Sequence, residues 1–136
     1  MFEVDGFPPK ALRAAGPPEG TAEFTNFTRQ GGYEATRRLL ALPNPSTAIS
    51  ASSDLLAAGA LRAIHEADLS ISEDIAVVSF DGTSESGFSW PQLTTVRQPI
   101  NQIAEAAVDA ALSSNGSGGK AQPLPTELII RRSCGC

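Results

Sequence analysis

The stretch TAISASSDLLAAGALRAIHEADLSISEDIAVVSFDG, residues 47–82, with PQLTTVRQP following at 91–99, decides the fold. Two short apolar runs, 48–50 and 75–80, flank a segment with helical periodicity. Each run stops abruptly in small polar or acidic residues, Ser52-Ser53-Asp54 after the first and Asp81-Gly82 after the second. This is the pattern of consecutive strand-helix-strand units, hence an α/β class with a mostly parallel sheet flanked by helices. Open α/β sheets bind ligands just beyond the carboxyl ends of their strands, so the residues after each apolar run are the first candidates for a site.

Working outward, residues 55–67 carry Ala57, Leu61 and Ile64 at the spacing of one helical face, behind three good capping residues, Ser52, Ser53 and Asp54. The run 75–80 is continuous and rich in β-branched residues, which predicts a strand buried on both faces. Upstream, Gly31-Gly32 opens a helix in which Ala35, Leu39 and Leu42 share a face, and the prolines at 43 and 45 end it. A brief strand-like run is expected at 22–27, and a short helix at 7–15, started by Pro8-Pro9 and stopped by Gly16-Pro17-Pro18. Downstream, 82–90 reads as a surface loop and 93–96 as a short strand. Ile100, Ile103, Ala104, Ala107, Val108 and Ala111 trace a wide apolar helical face, 113–122 is a linker by composition, and 127–132 is a final strand.

The chain has 136 residues, 41% hydrophobic and 18% charged, which suits one soluble domain. A net charge of −5 excludes the broad basic surface that gripping nucleic acid requires. The two cysteines, Cys134 and Cys136, sit in the last three residues, without the paired spacing of a zinc site, and read as an exposed or frayed tail. No apolar run approaches the roughly 20 residues of a membrane span. The first residues, MFEVDGF, lack the basic and apolar regions of a signal peptide, so a cytoplasmic, reduced protein is expected.

The ordered motifs GGYEATRRLL, TAISASSDLLAAGALRAI, SEDIAVVSFDG, PQLTTVRQPI and PTELIIRRS resemble the C-terminal half of transcriptional regulators of the LacI/GalR type. The resemblance runs from Val4-Asp5-Gly6-Phe7 to Ser133. It implies an effector-binding core shaped like a type I periplasmic binding protein, of which residues 1–136 form one incomplete lobe. A whole member would also carry a helix-turn-helix DNA-binding domain, most of the first lobe and the opening strand of the second lobe ahead of Met1. The expectation is therefore a chain with no DNA-binding domain of its own and with two unpaired strand edges. Residues 99–122 are expected to form a crossover helix and linker that belong to or face the first lobe. Such a piece is expected to be marginally stable or to complete itself through another chain.

The resemblance also implies residue roles. Asp81 is expected to accept hydrogen bonds from ligand hydroxyls, and Phe27 to stack on a sugar ring or a purine. Gln98 and Ile100 are expected on the crossover between lobes, against the ligand. Ser53 stands where many members have an asparagine; with one donor instead of two, it favours a water-bridged contact. Asp54 is assigned to helix capping. Glu3 replaces the family's usual arginine and is expected to repel an anionic ligand. Leu55, Leu56 and Trp90 are expected at a homodimer interface, and His65, the only histidine, on the surface. No cofactor is implied. The expected partners are a sugar-like or purine-like effector, a second copy of the chain, and operator DNA only through a helix-turn-helix domain.

Two other function classes fit the same features only in part. An exported sugar-binding protein shares the two-lobed fold but needs a leader, which MFEVDGF does not provide. An apolar strand ending in FDGT is similar to the nucleophile motif of haloacid-dehalogenase-like phosphatases, yet Ser79 stands where the attacking aspartate is required. An enzyme is therefore not expected.

Overall fold

The computed structural model describes residues 22–112 and 123–136. The expected helix at 7–15, Glu3 and the linker at 113–122 lie outside these residues. The elements are α1 (Arg29–Leu40), β1 (Ala48–Ser50), α2 (Asp54–Glu66), β2 (Ala76–Asp81), α3 (Ser84–Phe88), β3 (Thr94–Arg97), α4 (Ile100–Leu112), β4 (Glu127–Ile129) and a 3-10 turn at Arg132–Cys134. The strands lie in the order β1-β2-β3-β4. The first three are parallel, and β4 runs antiparallel to β3. The crossovers between parallel strands carry the helices, as that topology requires.

The helix α2 is the centre of the packing: one side meets β2 and the other meets α1. Its Leu56, Ala57, Ala60, Leu61 and Ile64 form one core with Ala35 and Leu39 of α1, Ile49 of β1, Val77 of β2, and Ile75 and Leu93. The helix α1 begins at Arg29 instead of at the glycine pair, because the Thr28 hydroxyl caps it by accepting from the Gly31 amide at 2.9 Å. The glycines lie inside the helix for a different reason. A Cβ on Gly32 would fall 2.1 Å from the Leu56 carbonyl oxygen, and one on Gly59 of α2 would fall 2.0 Å from that of Arg29. Without those methyls, the two helix backbones touch.

Four expectations need correction. The strand β2 is not buried on both faces. Val77 and Ser79 are buried towards α2, whereas Ala76, Val78 and Phe80 are only half-buried. Residues 22–27 form no ladder among the described residues; Glu23 alone takes an isolated bridge. The loop at 82–90 contains the short helix α3, fixed by the buried Ser86, whose hydroxyl donates to the Thr83 carbonyl at 2.7 Å. Finally, β4 stops at Ile129, and the chain turns so that Ser133 is buried against β2 and β3. The Ser133 hydroxyl donates to the Val77 carbonyl and accepts from the Thr94 amide at 2.9 Å. The end of the described chain is therefore anchored, with Cys134 half-buried and Cys136 exposed.

No residue of α4 is buried, and Ile100, Ile103, Val108 and Leu112 are exposed. No helix among the described residues is long and apolar enough to cross a membrane.

Candidate functional site

The carboxyl ends of β1, β2 and β3 converge on one buried carboxylate. Asp54, the first residue of α2, is fully buried. One oxygen, Oδ1, accepts from the Ser79 hydroxyl of β2 at 2.6 Å and from the Thr95 hydroxyl of β3 at 2.9 Å. The other, Oδ2, accepts from the Thr83 amide at 2.6 Å and the Thr83 hydroxyl at 2.7 Å. Four donors on two strands and a loop satisfy the charge that burial would otherwise make costly. The capping role expected of Asp54 is thus corrected. Ser53 caps the helix, its hydroxyl accepting from the Leu56 amide at 3.2 Å, and Asp54 ties the strand ends together.

Asp81 stands one step further out, as the last residue of β2. Its φ of +119° is a region that residues with a side chain rarely occupy, and such backbone strain concentrates at functional sites. The Gln98 amide fixes it by donating to the Asp81 carbonyl at 3.2 Å, and the Gln98 side chain donates to Oδ1 at 3.0 Å. The Asp54 amide approaches Oδ2 at 3.4 Å. Burial pushes the Asp81 carboxyl above the ordinary aspartate range, and the nearby Asp54 charge adds to the rise. The hydrogen bonds from the Asp54 amide and Gln98 oppose it.

Asp81 opens onto a cleft of about 570 Å³ lined by Asp81, Gly82, Thr83, Arg97, Gln98 and the start of α4 from Ile100 to Gln102. The wall is mixed: a carboxylate, a guanidinium, carboxamides, a hydroxyl and the apolar Ile100. Such a surface suits a small polar ligand with some apolar face.

The sequence family described as periplasmic binding protein-like domain matches residues 5–134. The lactose operon repressor of Rhizobium radiobacter is 45% identical over 104 residues, which cover 75% of this chain and 92% of that sequence. The chain belongs to the LacI/GalR family. Two solved structures share its fold at TM-scores of 0.83 and 0.79. The first is a Lac repressor dimer bound to operator and an anti-inducer, 29% identical, with 92% of this chain and 44% of that one covered. The second is the transcriptional regulator CelR in complex with cellobiose, 30% identical, with 92% and 40% covered. The chain spans about a third of the length of the curated relatives it matches first, 29–33% of each.

Of the residues that the LacI/GalR resemblance singled out, the structure brings Asp81, Gln98 and Ile100 together on the cleft. It does not bring Ser53 or Phe27 there. Ser53 is only 3% exposed and its hydroxyl is engaged as a cap; Phe27 is 52% exposed, just ahead of the α1 cap, and does not line the cleft. Leu56 is a core residue, 1% exposed, with no surface to offer a partner. Leu55 and Trp90 are exposed. His65 is exposed in the last turn of α2. Thr83 and Arg97 escaped the sequence reading, although Arg97 directly precedes Gln98. The missing signal was the strand register, which sets Arg97 opposite Asp81. Phe88, 91% exposed beside Trp90 at 83%, also escaped it.

Proposed function

We propose that this chain is the effector-sensing and dimerising part of a LacI/GalR-type transcription regulator, with the cleft at Asp81 taking a small sugar-like or nucleobase-like molecule. The observation that carries this reading is the Asp81 carboxylate, held in a strained backbone position at a strand end and open to the cleft. Accepting two ligand hydroxyls there rewards a polyol over water. Gln98 orients the carboxylate, and Ile100 supplies an apolar wall. The reading is of a cytoplasmic binding module, not an enzyme. Residues 99–122 serve as the crossover to the other lobe, and operator contact is left to a helix-turn-helix module. Effector binding closes the lobes and shifts the dimer geometry that operator affinity depends on.

Calorimetric titration with a panel of sugars and purines tests the site. Asp81→Asn is expected to weaken the tightest ligand by roughly 10- to 100-fold, the range of a charged hydrogen bond. The working form is the carboxylate, and its proton affinity is raised. Binding should therefore fade on acidification while an ordinary aspartate is still ionised. Binding that ignores both the substitution and the pH would sink the assignment.

The dimer surface is proposed to include Leu55, Phe88 and Trp90, since exposed aromatics of this size commonly carry interface energy. Trp90→Ala is expected to move a sedimenting dimer to monomer, or to weaken it by about tenfold or more. An unchanged dimer would place the interface elsewhere.

A further inference from the structure

Within the reading of the cleft as an effector site, we propose that Arg97 sets the charge class of the effector. The ligand is a hydroxylated small molecule bearing an acid group, a carboxylate or a phosphate, which the guanidinium grips while Asp81 takes nearby hydroxyls. Among the described residues lining the cleft, Arg97 is the one cation and Asp81 the one anion. Thr83, Gln98, Asn101 and Gln102 are neutral. Asp81 and Arg97 are register partners on adjacent strands, whose spacing is about 4.8 Å. A ligand meeting both side chains therefore carries its acid group and a hydroxyl within a few atoms of each other, as sugar acids and sugar phosphates do.

The guanidinium is available for this. Its stem lies over Gly82, where an added Cβ would sit 2.5 Å from the Arg97 Cα and 2.9 Å from its Cγ, so only glycine leaves the stem room. The head is half exposed and meets the Glu127 carboxylate at 3.5 Å; the Glu127 side chain is itself 67% exposed. An ion pair so open to water contributes about 0–1 kcal/mol. A ligand oxyanion in the two-pronged geometry that arginine favours displaces it at small cost. In a chain of net charge −5, such a local cation offsets the repulsion that an anion meets. Glu3, from which the opposite expectation was drawn, lies outside the described residues.

The test is calorimetry on the 136-residue chain. The probes are matched sets of hexose, hexuronate and hexose 6-phosphate in the glucose, galactose and mannose series. In at least one set, an acid is expected to bind about tenfold or more tighter than its neutral parent. Whether the uronate or the phosphate does so identifies the acid group. Arg97→Gln should abolish the preference and leave the neutral affinity within about twofold, whereas Arg97→Lys keeps most of it. Added salt should weaken the acid and spare the neutral sugar. Neutral sugars binding as tightly as the acids, with Asp81→Asn still weakening binding, would overturn the role of Arg97 alone. So would an Arg97→Gln variant that weakens both ligand kinds equally, since that is a structural effect. No binding by any member of any set would overturn the Arg97 proposal, and silence of the purine panel as well would overturn the effector site it rests on.

Discussion

Replacing Asp54 by alanine is expected to remove about 3–5 kcal/mol of folding stability, a large part of the 5–15 kcal/mol that holds a domain of this kind together. The carboxylate is fully buried and answers four donors: the hydroxyls of Ser79 and Thr95 and both the amide and hydroxyl of Thr83. Its loss takes the charged acceptor from the buried hydroxyls of Ser79 and Thr95, while the Thr83 amide and hydroxyl, on a residue that is itself exposed, turn to water. Each orphaned buried donor costs roughly 1–3 kcal/mol. Asparagine is expected to lose less, about 2 kcal/mol, because its carbonyl oxygen keeps one pair of donors. Urea unfolding followed by far-ultraviolet circular dichroism measures both; Trp90, 83% exposed, is a poor reporter. An alanine variant within about 1 kcal/mol of the parent would show that the network does not hold the strand ends.

Gly59→Ala is expected to cost about 3 kcal/mol, against the intrinsic preference of a helix for alanine over glycine, which is worth about 1 kcal/mol the other way. The new methyl would lie 2.0 Å from the Arg29 carbonyl oxygen and 2.6 Å from the Tyr33 amide nitrogen. Both are backbone atoms of α1, so no side-chain rotation relieves the clash and the helices must part. Gly32→Ala meets the Leu56 backbone from the opposite side and should behave alike. The control is Gly87, half-buried in α3, where the nearest atom to an added Cβ is the Arg131 Nη2 at 3.9 Å. Its alanine variant should match or exceed the parent in thermal unfolding. Equal effects at Gly59 and Gly87 would refute close helix packing as the cause.

Much of this was legible in the chain itself. Periodicity placed α1, α2, β2 and β3 within a few residues. The abrupt change from apolar to acidic at Phe80-Asp81 marked the residue beside the cleft, because a strand end in an open sheet is where backbone groups and short polar side chains face solvent together. The ordered motifs identified the family. What the sequence does not encode locally is which neighbour each group meets. Asp54 and Ser53 are both good capping residues, so their spacing alone leaves the cap ambiguous. Register decided it, by bringing Ser79 and Thr95 to one side of the sheet beneath Asp54. Likewise, a glycine pair reads as a helix opening until the second helix is seen lying against it, and Leu55 and Leu56 are equivalent interface candidates until burial separates them.

The sequence by itself therefore determined the class of fold, the order of its longer helices and of the strands from β1 onward, and the strand end that bears Asp81, because hydrophobic period and chain stops are local properties. Only the tertiary structure decided that Asp54 is the hub, that Ser53 and Phe27 do not line the cleft, and that Arg97 stands beside Asp81 on the neighbouring strand. Those facts depend on distance between residues far apart in the chain, which no periodicity records.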